Sequence, residues 1–200
     1  MNPAIEAYQQ ALRINPEDAG AWCNLGTAYG KVGQTAKAIE ALQQALHINP
    51  ENTKAWYNLG ITYVREGQPD KAIEAYQQAL RINPEDAVAW YNLGVAYGRT
   101  EQTAKAIEAY QQALHINPED ADAWNNLGGA YGRTDQTIKA TEAFQQALHI
   151  NPENAKAWHN LGIAYGDAGQ SVKAIDAFQQ ALRINPDWTK PLRGIAWITS

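Results

Sequence analysis

The sequence predicts an all-α solenoid of helix pairs, because two patterns recur along it at a fixed interval of 34 residues. In the first pattern, Trp is followed by Leu at the third residue, Gly at the fourth and Tyr at the seventh, which places all four side chains on one helical face. The second pattern is an Asn-Pro pair, which ends a helix because the residue before proline disfavours the α region. Units of this length bury their apolar faces only by stacking. The tryptophans are Trp22, Trp56, Trp90, Trp124 and Trp158.

The chain begins with a helix that matches the second half of the later units. Residues 3–14 read PAIEAYQQALRI, and AIEAYQQALRI returns at 72–82. We therefore expect residues 1–18 to be the second helix of an incomplete repeat, as in a fragment of a longer array or in a protein that has lost a helix. Five full units are predicted at 19–52, 53–86, 87–120, 121–154 and 155–188, followed by a partial capping helix at 189–200.

Each full unit opens with the helix that carries the Trp pattern. The Asp or Asn directly before it is expected to cap the free N–H groups of the first turn. These caps are Asp18, Asn52, Asp86, Asp120 and Asn154. The first helices are expected to stop near Gly33, Gly67 and Gly169, where a left-handed residue is cheap for glycine. Glu101 and Asp135 replace that glycine in two units, so those turns are expected to differ in shape or to cost more.

The second helix of each unit is expected to start near a recurring lysine and to end at the Asn-Pro pair. Apolar residues follow each lysine at helical spacing, as Ile73, Tyr76 and Leu80 do in the second unit. A basic residue in the last turn, such as Arg81, suits the helix dipole. The lysines are Lys37, Lys71, Lys105, Lys139 and Lys173.

Composition excludes several classes of protein. The apolar fraction of 45% is that of an ordinary folded protein, and no apolar run approaches the ~18 residues of a transmembrane helix. The N-terminus lacks the basic and apolar regions of a secretory signal, so we expect a cytoplasmic location and no membrane partner. A net charge of −5 gives no electrostatic reason to bind nucleic acid. The single cysteine, Cys23, excludes an internal disulfide and multi-cysteine zinc sites.

The recurring residues resemble the tetratricopeptide repeat across essentially all of the chain. In the first unit they are Trp22, Leu25, Gly26, Tyr29, Ala38, Leu42 and Pro50. The resemblance implies antiparallel helix pairs stacked into a right-handed superhelix, with the first helices lining a concave groove. It also implies a scaffold that holds a peptide or a helix in that groove. We expect a bacterial source.

An asparagine two residues after each Trp falls in the groove that the resemblance implies. Its amide offers an acceptor and two donors, the complement of a peptide unit, and so suits an extended backbone. The alternative is that asparagine is simply common at this position in the family. The column consists of Asn24, Asn58, Asn92, Asn126 and Asn160. Tyr57 and Tyr91, beside two of these asparagines, are candidate anchors for a partner.

A line of cations near the ends of the first helices is broken by Asp167 in the fifth unit. With Lys54 and Lys156 set against Asp122 and Asp167, the implied groove carries six positive and two negative charges. Such a groove would steer an acidic peptide or a C-terminal carboxylate. The alternative is that each cation only answers the dipole of its own helix. The line consists of Lys31, Arg65, Arg99 and Arg133.

Glycine inside the first helices costs roughly 1 kcal/mol relative to alanine. One interpretation is a groove deepened for a ligand, and the other is close helix packing or fraying near the helix end. The residues are Gly30, Gly98, Gly132, Gly166 and, in the fourth unit, Gly129.

No catalytic or metal-binding constellation is present in the sequence, so we expect a non-enzymatic protein without cofactors. His47, His115 and His149 occupy equivalent places in different units, too far apart to share a zinc ion. The column also lacks the arginine of the two-carboxylate clamp that grips chaperone tails. The leading hypothesis is a scaffold for an extended, acidic peptide. The alternatives are a substrate-recruiting arm of a larger enzyme, such as a glycosyltransferase, and a module that self-associates end to end.

Overall fold

Twelve α-helices and no strands make up residues 2–199, the part of the chain that the computed structural model describes. Met1 and Ser200, which the predicted first and last segments include, lie outside the described residues. The all-α prediction is therefore confirmed for residues 2–199. The helices are α1 (Pro3–Ile14), α2 (Ala19–Lys31), α3 (Thr35–Ile48), α4 (Thr53–Arg65), α5 (Pro69–Ile82), α6 (Ala87–Arg99), α7 (Thr103–Ile116), α8 (Ala121–Gly132), α9 (Thr137–Ile150), α10 (Ala155–Asp167), α11 (Ser171–Ile184) and α12 (Lys190–Thr199).

The helices fall into two units, each described by itself. The N-terminal unit, Met1–Glu101, holds α1–α6, and the C-terminal unit, Gln102–Ser200, holds α7–α12. Within each unit, every helix packs against the next one along the chain. Short turns join the paired helices, so successive helices run antiparallel and build a solenoid. The longest described helices have 14 residues, and none of the helices in residues 2–199 is long and apolar enough to span a membrane.

The predicted caps hold the starts of the first helices. Asp18 Oδ1 accepts a hydrogen bond from the Ala21 N–H at 2.9 Å, which satisfies one of the free donors of α2. The same bond is made by Asn52, Asp86, Asp120 and Asn154. The first helices therefore begin where the sequence predicts.

The turns after the first helices share one left-handed residue. Gly33, Gly67 and Gly169 have φ of 76°, 71° and 70°, and Glu101 and Asp135 take the same conformation, at 59° and 56°. These two turns therefore have the same sign of φ as the glycine turns. Of the two expected consequences, the extra energetic cost remains, because an L-residue is strained in this conformation.

The second helices begin two residues before the predicted lysines, in agreement with the expected start near them. In the first unit the Gln34 N–H bonds to Tyr29 O at 3.0 Å and closes the turn. The Gln34 carbonyl then accepts from the Ala38 N–H at 3.0 Å, so Thr35 is already helical. Backbone bonds set this start, since Gln34 makes no side-chain cap. The helices end at the Asn-Pro pairs, as predicted.

The Gly of the Trp pattern lies at the core of the helix pairs α2–α3, α4–α5, α8–α9 and α10–α11. A Cβ atom at Gly60 would lie 2.5 Å from the Tyr76 ring, and one at Gly128 would lie 2.7 Å from the Phe144 ring. The tryptophans, expected in the core, are only half-buried. Each indole sits at the edge, where its N–H donates to a proline carbonyl in the preceding turn, as Trp124 Nε1 does to Pro118 O at 2.8 Å.

Candidate peptide-binding surface

The first helices present a common surface, which we call the first-helix face. It comprises the second, fifth, sixth, ninth, twelfth and thirteenth residues of each predicted unit. In the first unit these are Gly20, Cys23, Asn24, Thr27, Gly30 and Lys31. The asparagine column and the line of cations both belong to this face.

In the N-terminal unit, the asparagine side chains bond between successive first helices. Asn58 Nδ2 donates to Thr27 Oγ1 at 2.9 Å, and Asn24 Oδ1 accepts from Lys54 Nζ at 3.1 Å. Asn92 Nδ2 donates to the Tyr57 hydroxyl at 3.1 Å and to the carbonyl of Val88 at 2.9 Å. The column therefore ties α2, α4 and α6 together, a role that sequence reasoning missed.

In the C-terminal unit, Asn160 Nδ2 donates to Asn125 Oδ1 at 3.0 Å, which joins α10 to α8 in the same manner. Asn126 is half-buried on α8. Tyr91, the other predicted anchor, is half-buried on α6 of the N-terminal unit. The partner of Asn160 lies a whole repeat away, so the spacing within one unit gives no signal for it.

The arginines of the N-terminal unit reach the helix of the preceding repeat. Arg65 Nη1 donates to Gly30 O at 2.9 Å, and Arg99 Nη1 donates to Val64 O at 3.4 Å. Each guanidinium thus meets carbonyls near the C-terminus of the preceding first helix, where a dipole favours positive charge. The dipole interpretation therefore applies to the neighbouring helix. Both side chains remain exposed, and so do Lys31, Lys54 and Arg133.

Charge is distributed unequally between the two units. On the first-helix face, the N-terminal unit carries four cations and no acidic residue. The C-terminal unit carries two cations and two acids on the same face, Asp122 and Arg133 on α8 and its C-cap, and Lys156 and Asp167 on α10. All of the excess positive charge therefore lies in the N-terminal unit.

Tyr57 is held against the core of its own repeat. Its ring lies 5.9 Å from that of Tyr76, with an angle of 53° between the planes. Burial raises the pKa of Tyr57, the charge of Asp86 raises it further, and the hydrogen bond from Asn92 lowers it. Burial, with the neighbouring Tyr57, also raises the pKa of Tyr76. Both hydroxyls are therefore neutral donors or acceptors at physiological pH.

Cys23 lies at the same position of the first unit and is only 2% exposed. Burial raises the pKa of its thiol, although the charge of Lys54 and hydrogen bonds with Asn58 and Thr27 act to lower it. Lys54, which comes from the next repeat, is the basic residue near this cysteine. The thiol is protonated and inaccessible, so it does not act as a nucleophile.

His159 occupies that position in the fifth unit. Its ring centroid lies 5.5 Å from Phe178 and 4.9 Å from Trp188, a residue that stands where other units have a capping Asp or Asn. Its buried Nδ1 has no hydrogen-bond partner. Burial lowers the pKa of His159, and the charge of Lys190 lowers it further.

The glycines of the first-helix face divide into open and packed positions. A Cβ atom at Gly129 or Gly132 would meet nothing within 4 Å, and one at Gly30 would have its nearest neighbours at 3.9 Å. A Cβ atom at Gly166 would lie 2.6 Å from Trp197 and 2.8 Å from Ile198. Open space thus surrounds Gly30, Gly129 and Gly132, whereas α12 packs closely against Gly166.

Three cavities that sequence reasoning missed lie between successive second helices. One cavity in the N-terminal unit and two in the C-terminal unit have volumes of about 540, 750 and 570 Å³. Each has a Trp, two Leu and a Tyr on its walls and a histidine at its rim. His47, His115 and His149 are those rim residues. Among residues 2–199, no cluster of side chains is suited to a metal ion.

The model of a tetratricopeptide family described as the cilia and flagella-associated protein 70 C-terminal domain matches residues 2–196. No curated protein matches the sequence. Among solved structures, YrrB, described as a TPR protein with an unusual peptide-binding site, is 26% identical, with a TM-score of 0.84 over 94% of this chain and 97% of YrrB. A structure of MamA is 31% identical, with a TM-score of 0.79 over 81% of this chain and 95% of MamA.

Proposed function

Because the chain belongs to the tetratricopeptide repeat family, in the group described as the cilia and flagella-associated protein 70 C-terminal domain, we propose that it is a protein-interaction scaffold that binds an extended, acidic peptide. The observation that carries this proposal is the exposed cationic face of the N-terminal unit, formed by Lys31, Lys54, Arg65 and Arg99 on a chain whose net charge is −5.

The arrangement of these cations favours recognition over a general attraction. Arg65 uses one N–H on the Gly30 carbonyl, and a guanidinium has five, so donors remain for a bidentate bond to a carboxylate. Anchoring also reduces the side-chain entropy that binding would otherwise remove. The likeness to YrrB supports peptide binding as the general activity of such a chain.

The proposal is tested by fluorescence anisotropy with a labelled 12-residue peptide of Asp, Glu, Ser and Gly. We expect saturable binding that weakens as salt rises from 50 to 500 mM, because exposed charges are screened. A control peptide of the same length, in which Lys replaces Asp and Glu, is expected to bind at least about tenfold more weakly. Equal binding of both peptides, or no binding of either at low salt, would refute the proposal.

The asparagine column is tested with the double substitution of Asn92 and Asn126 by Ala. We expect weaker binding of the acidic peptide, together with a lower melting temperature, because Asn92 also bonds to Tyr57 and Val88. If the affinity were unchanged at a temperature where both proteins are fully folded, the asparagine column would have only a structural role and would not contact the peptide.

Self-association is a second candidate, and it rests on α1. Ala4, Ala7 and Ala11 are exposed, whereas the equivalent alanines of α3, Ala38, Ala41 and Ala45, are at most 2% exposed. An uncovered alanine face on a helix suits close packing against a helix of a second copy. Light scattering over a concentration series is expected to show a rising mass that Ala7→Lys abolishes, and a constant monomeric mass would contradict this. The recruiting-arm alternative stays a prediction.

A further inference from the structure

The cations of the N-terminal unit are related by the repeat itself. Arg99 reaches Val64 O on α4 as Arg65 reaches Gly30 O on α2, and in each pair the two residues are 35 apart. Lys31 ends α2 at the position that Arg65 takes in α4 and Arg99 takes in α6. Lys31, Arg65 and Arg99 therefore form a row with one positive charge per repeat.

The distance from one cation of this row to the next, which we call the step, follows from helix packing. Cα atoms of α2 and α4 approach within 8 Å, so these two first helices are in direct contact, and side chains of α6 bond to α4. Helices in contact have axes about 8–10 Å apart. Arg65 reaches a carbonyl of α2 and Arg99 reaches the equivalent carbonyl of α4, so their guanidiniums are separated by about one such step.

Backbone conformations differ in how well they match the step. A polyproline II peptide has three residues per turn and rises about 3.1 Å per residue, so every third side chain returns to the same side after about 9.3 Å. In a β-strand, side chains on one face are two residues and about 6.7 Å apart, which is too short, and four residues span about 13 Å, which is too long. An α-helix presents the same face again only after seven residues and about 10.5 Å, slightly more than the step.

From this match we infer that the N-terminal unit selects a peptide in the polyproline II conformation with a carboxylate at every third residue. The inference rests on the proposed function and adds the spacing and conformation of the partner. Successive carboxylates meet Lys31, Arg65 and Arg99, and the backbone of the peptide stays unpaired along the row. The C-terminal unit takes no part in this selection, because its face carries equal numbers of cations and acids.

The test uses labelled peptides of identical composition, each with three Glu in a background of Pro, Ala and Ser. In one peptide the Glu residues are three apart, in another two apart, and in a third contiguous. Anisotropy with the full chain at about 50 mM salt is expected to show the three-apart peptide binding at least about tenfold tighter, the effect of one charge-assisted contact. A further Ala-rich helical peptide, with Glu every seventh residue, is expected to bind more weakly.

Three variants distinguish the effect of the cation row on peptide binding from the effect of net charge. Arg65→Gln with Arg99→Gln is expected to remove the preference for the three-apart peptide. The matched control is Arg13→Gln with Arg81→Gln, which removes two charges from the second helices of the same unit and is expected to keep the preference. A third variant, with Arg65 and Arg99 both replaced by Lys, is used if the Gln variant does not fold. It keeps the charge and is expected to retain a reduced preference for the three-apart peptide.

Each outcome bears on a stated part of the inference. If the three peptides bind equally well and the Gln variant loses them all, the spacing is wrong while the proposed function stands. Tighter binding of the helical peptide overturns the conformation, and an equal loss in the control variant reduces the effect to net charge. If no acidic peptide binds, the proposed function and the inference both fail.

Discussion

Two adjacent glycines of α8 allow a direct test of how the helix pairs pack. A Cβ atom at Gly128 would lie 2.7, 2.8 and 3.0 Å from three ring atoms of Phe144, whereas one at Gly129 would meet nothing within 4 Å. Both glycines lie inside the helix, so alanine improves helix propensity at both by about 1 kcal/mol. Both substitutions therefore gain the same helix propensity, and they differ in the steric cost of the added methyl group.

The differing term is steric. Phe144 is 4% exposed, so its ring is enclosed and the overpacking costs about 1–3 kcal/mol. Gly128→Ala is therefore expected to lower the free energy of unfolding by about 0–2 kcal/mol, and Gly129→Ala to raise it by up to about 1 kcal/mol. The two variants are expected to differ by about 1–3 kcal/mol.

Urea unfolding of the full chain, followed by circular dichroism, measures this difference. With a slope of about 3 kcal/mol per molar urea, the midpoints are expected to differ by about 0.3–1 M. Gly60→Ala, where the added Cβ atom meets the Tyr76 ring at 2.5 Å, is expected to match Gly128→Ala in sign. If Gly128→Ala were as stable as Gly129→Ala, the close approach to Phe144 would not constrain the helix pair.

Three further predictions concern a turn, an indole bond and a histidine. Glu101→Gly is expected to raise the free energy of unfolding by about 0.5–1 kcal/mol, because Glu is strained at a φ of 59°; an unchanged urea midpoint would contradict this. Trp124→Phe loses the bond to Pro118 O and is expected to lower that free energy by about 0.5–1.5 kcal/mol in the same assay, whereas a neutral result would assign no stability to the bond. The pKa of His159 is lowered by burial, so as pH falls below about 6.5 the unfolded state takes up a proton before the folded state does, and stability is lost. Thermal melts at pH 7.5 and 5.5 are expected to show a smaller drop for His159→Gln than for the unaltered chain, and equal drops would count against this assignment.

The fold was predictable from the sequence wherever a short stretch determines it. Asp18 caps α2 because its side chain reaches an N–H three residues away, and Gly33 ends the helix through its own backbone angle. The start of α3 was predicted only to within two residues, because backbone bonds alone close that turn, with no capping side chain to mark it. Local chemistry thus accounts both for the predicted starts of the first helices and for the lower precision at the second helices.

The candidate site was less predictable, because its contacts cross from one repeat to the next. The position of Asn92 follows from its distance to Trp90, but its bond to Tyr57 depends on how α6 packs against α4. The same holds for Arg99 and the Val64 carbonyl, 35 residues apart. Sequence spacing identifies the face on which these side chains lie, and only the packing of helices identifies their partners.

The proposed binding and the stability of the N-terminal unit therefore depend on the same side chains. Arg65 holds α4 to the end of α2 while its remaining N–H groups face solvent, so its replacement by Gln removes both an inter-repeat bond and a candidate ligand contact. An affinity loss in that variant measures the ligand contact only where the folded fraction is unchanged. Arg65→Lys keeps the charge but not the planar fork of donors. Comparing the two variants at one temperature consequently separates the attraction of the charge from the geometry of the bond.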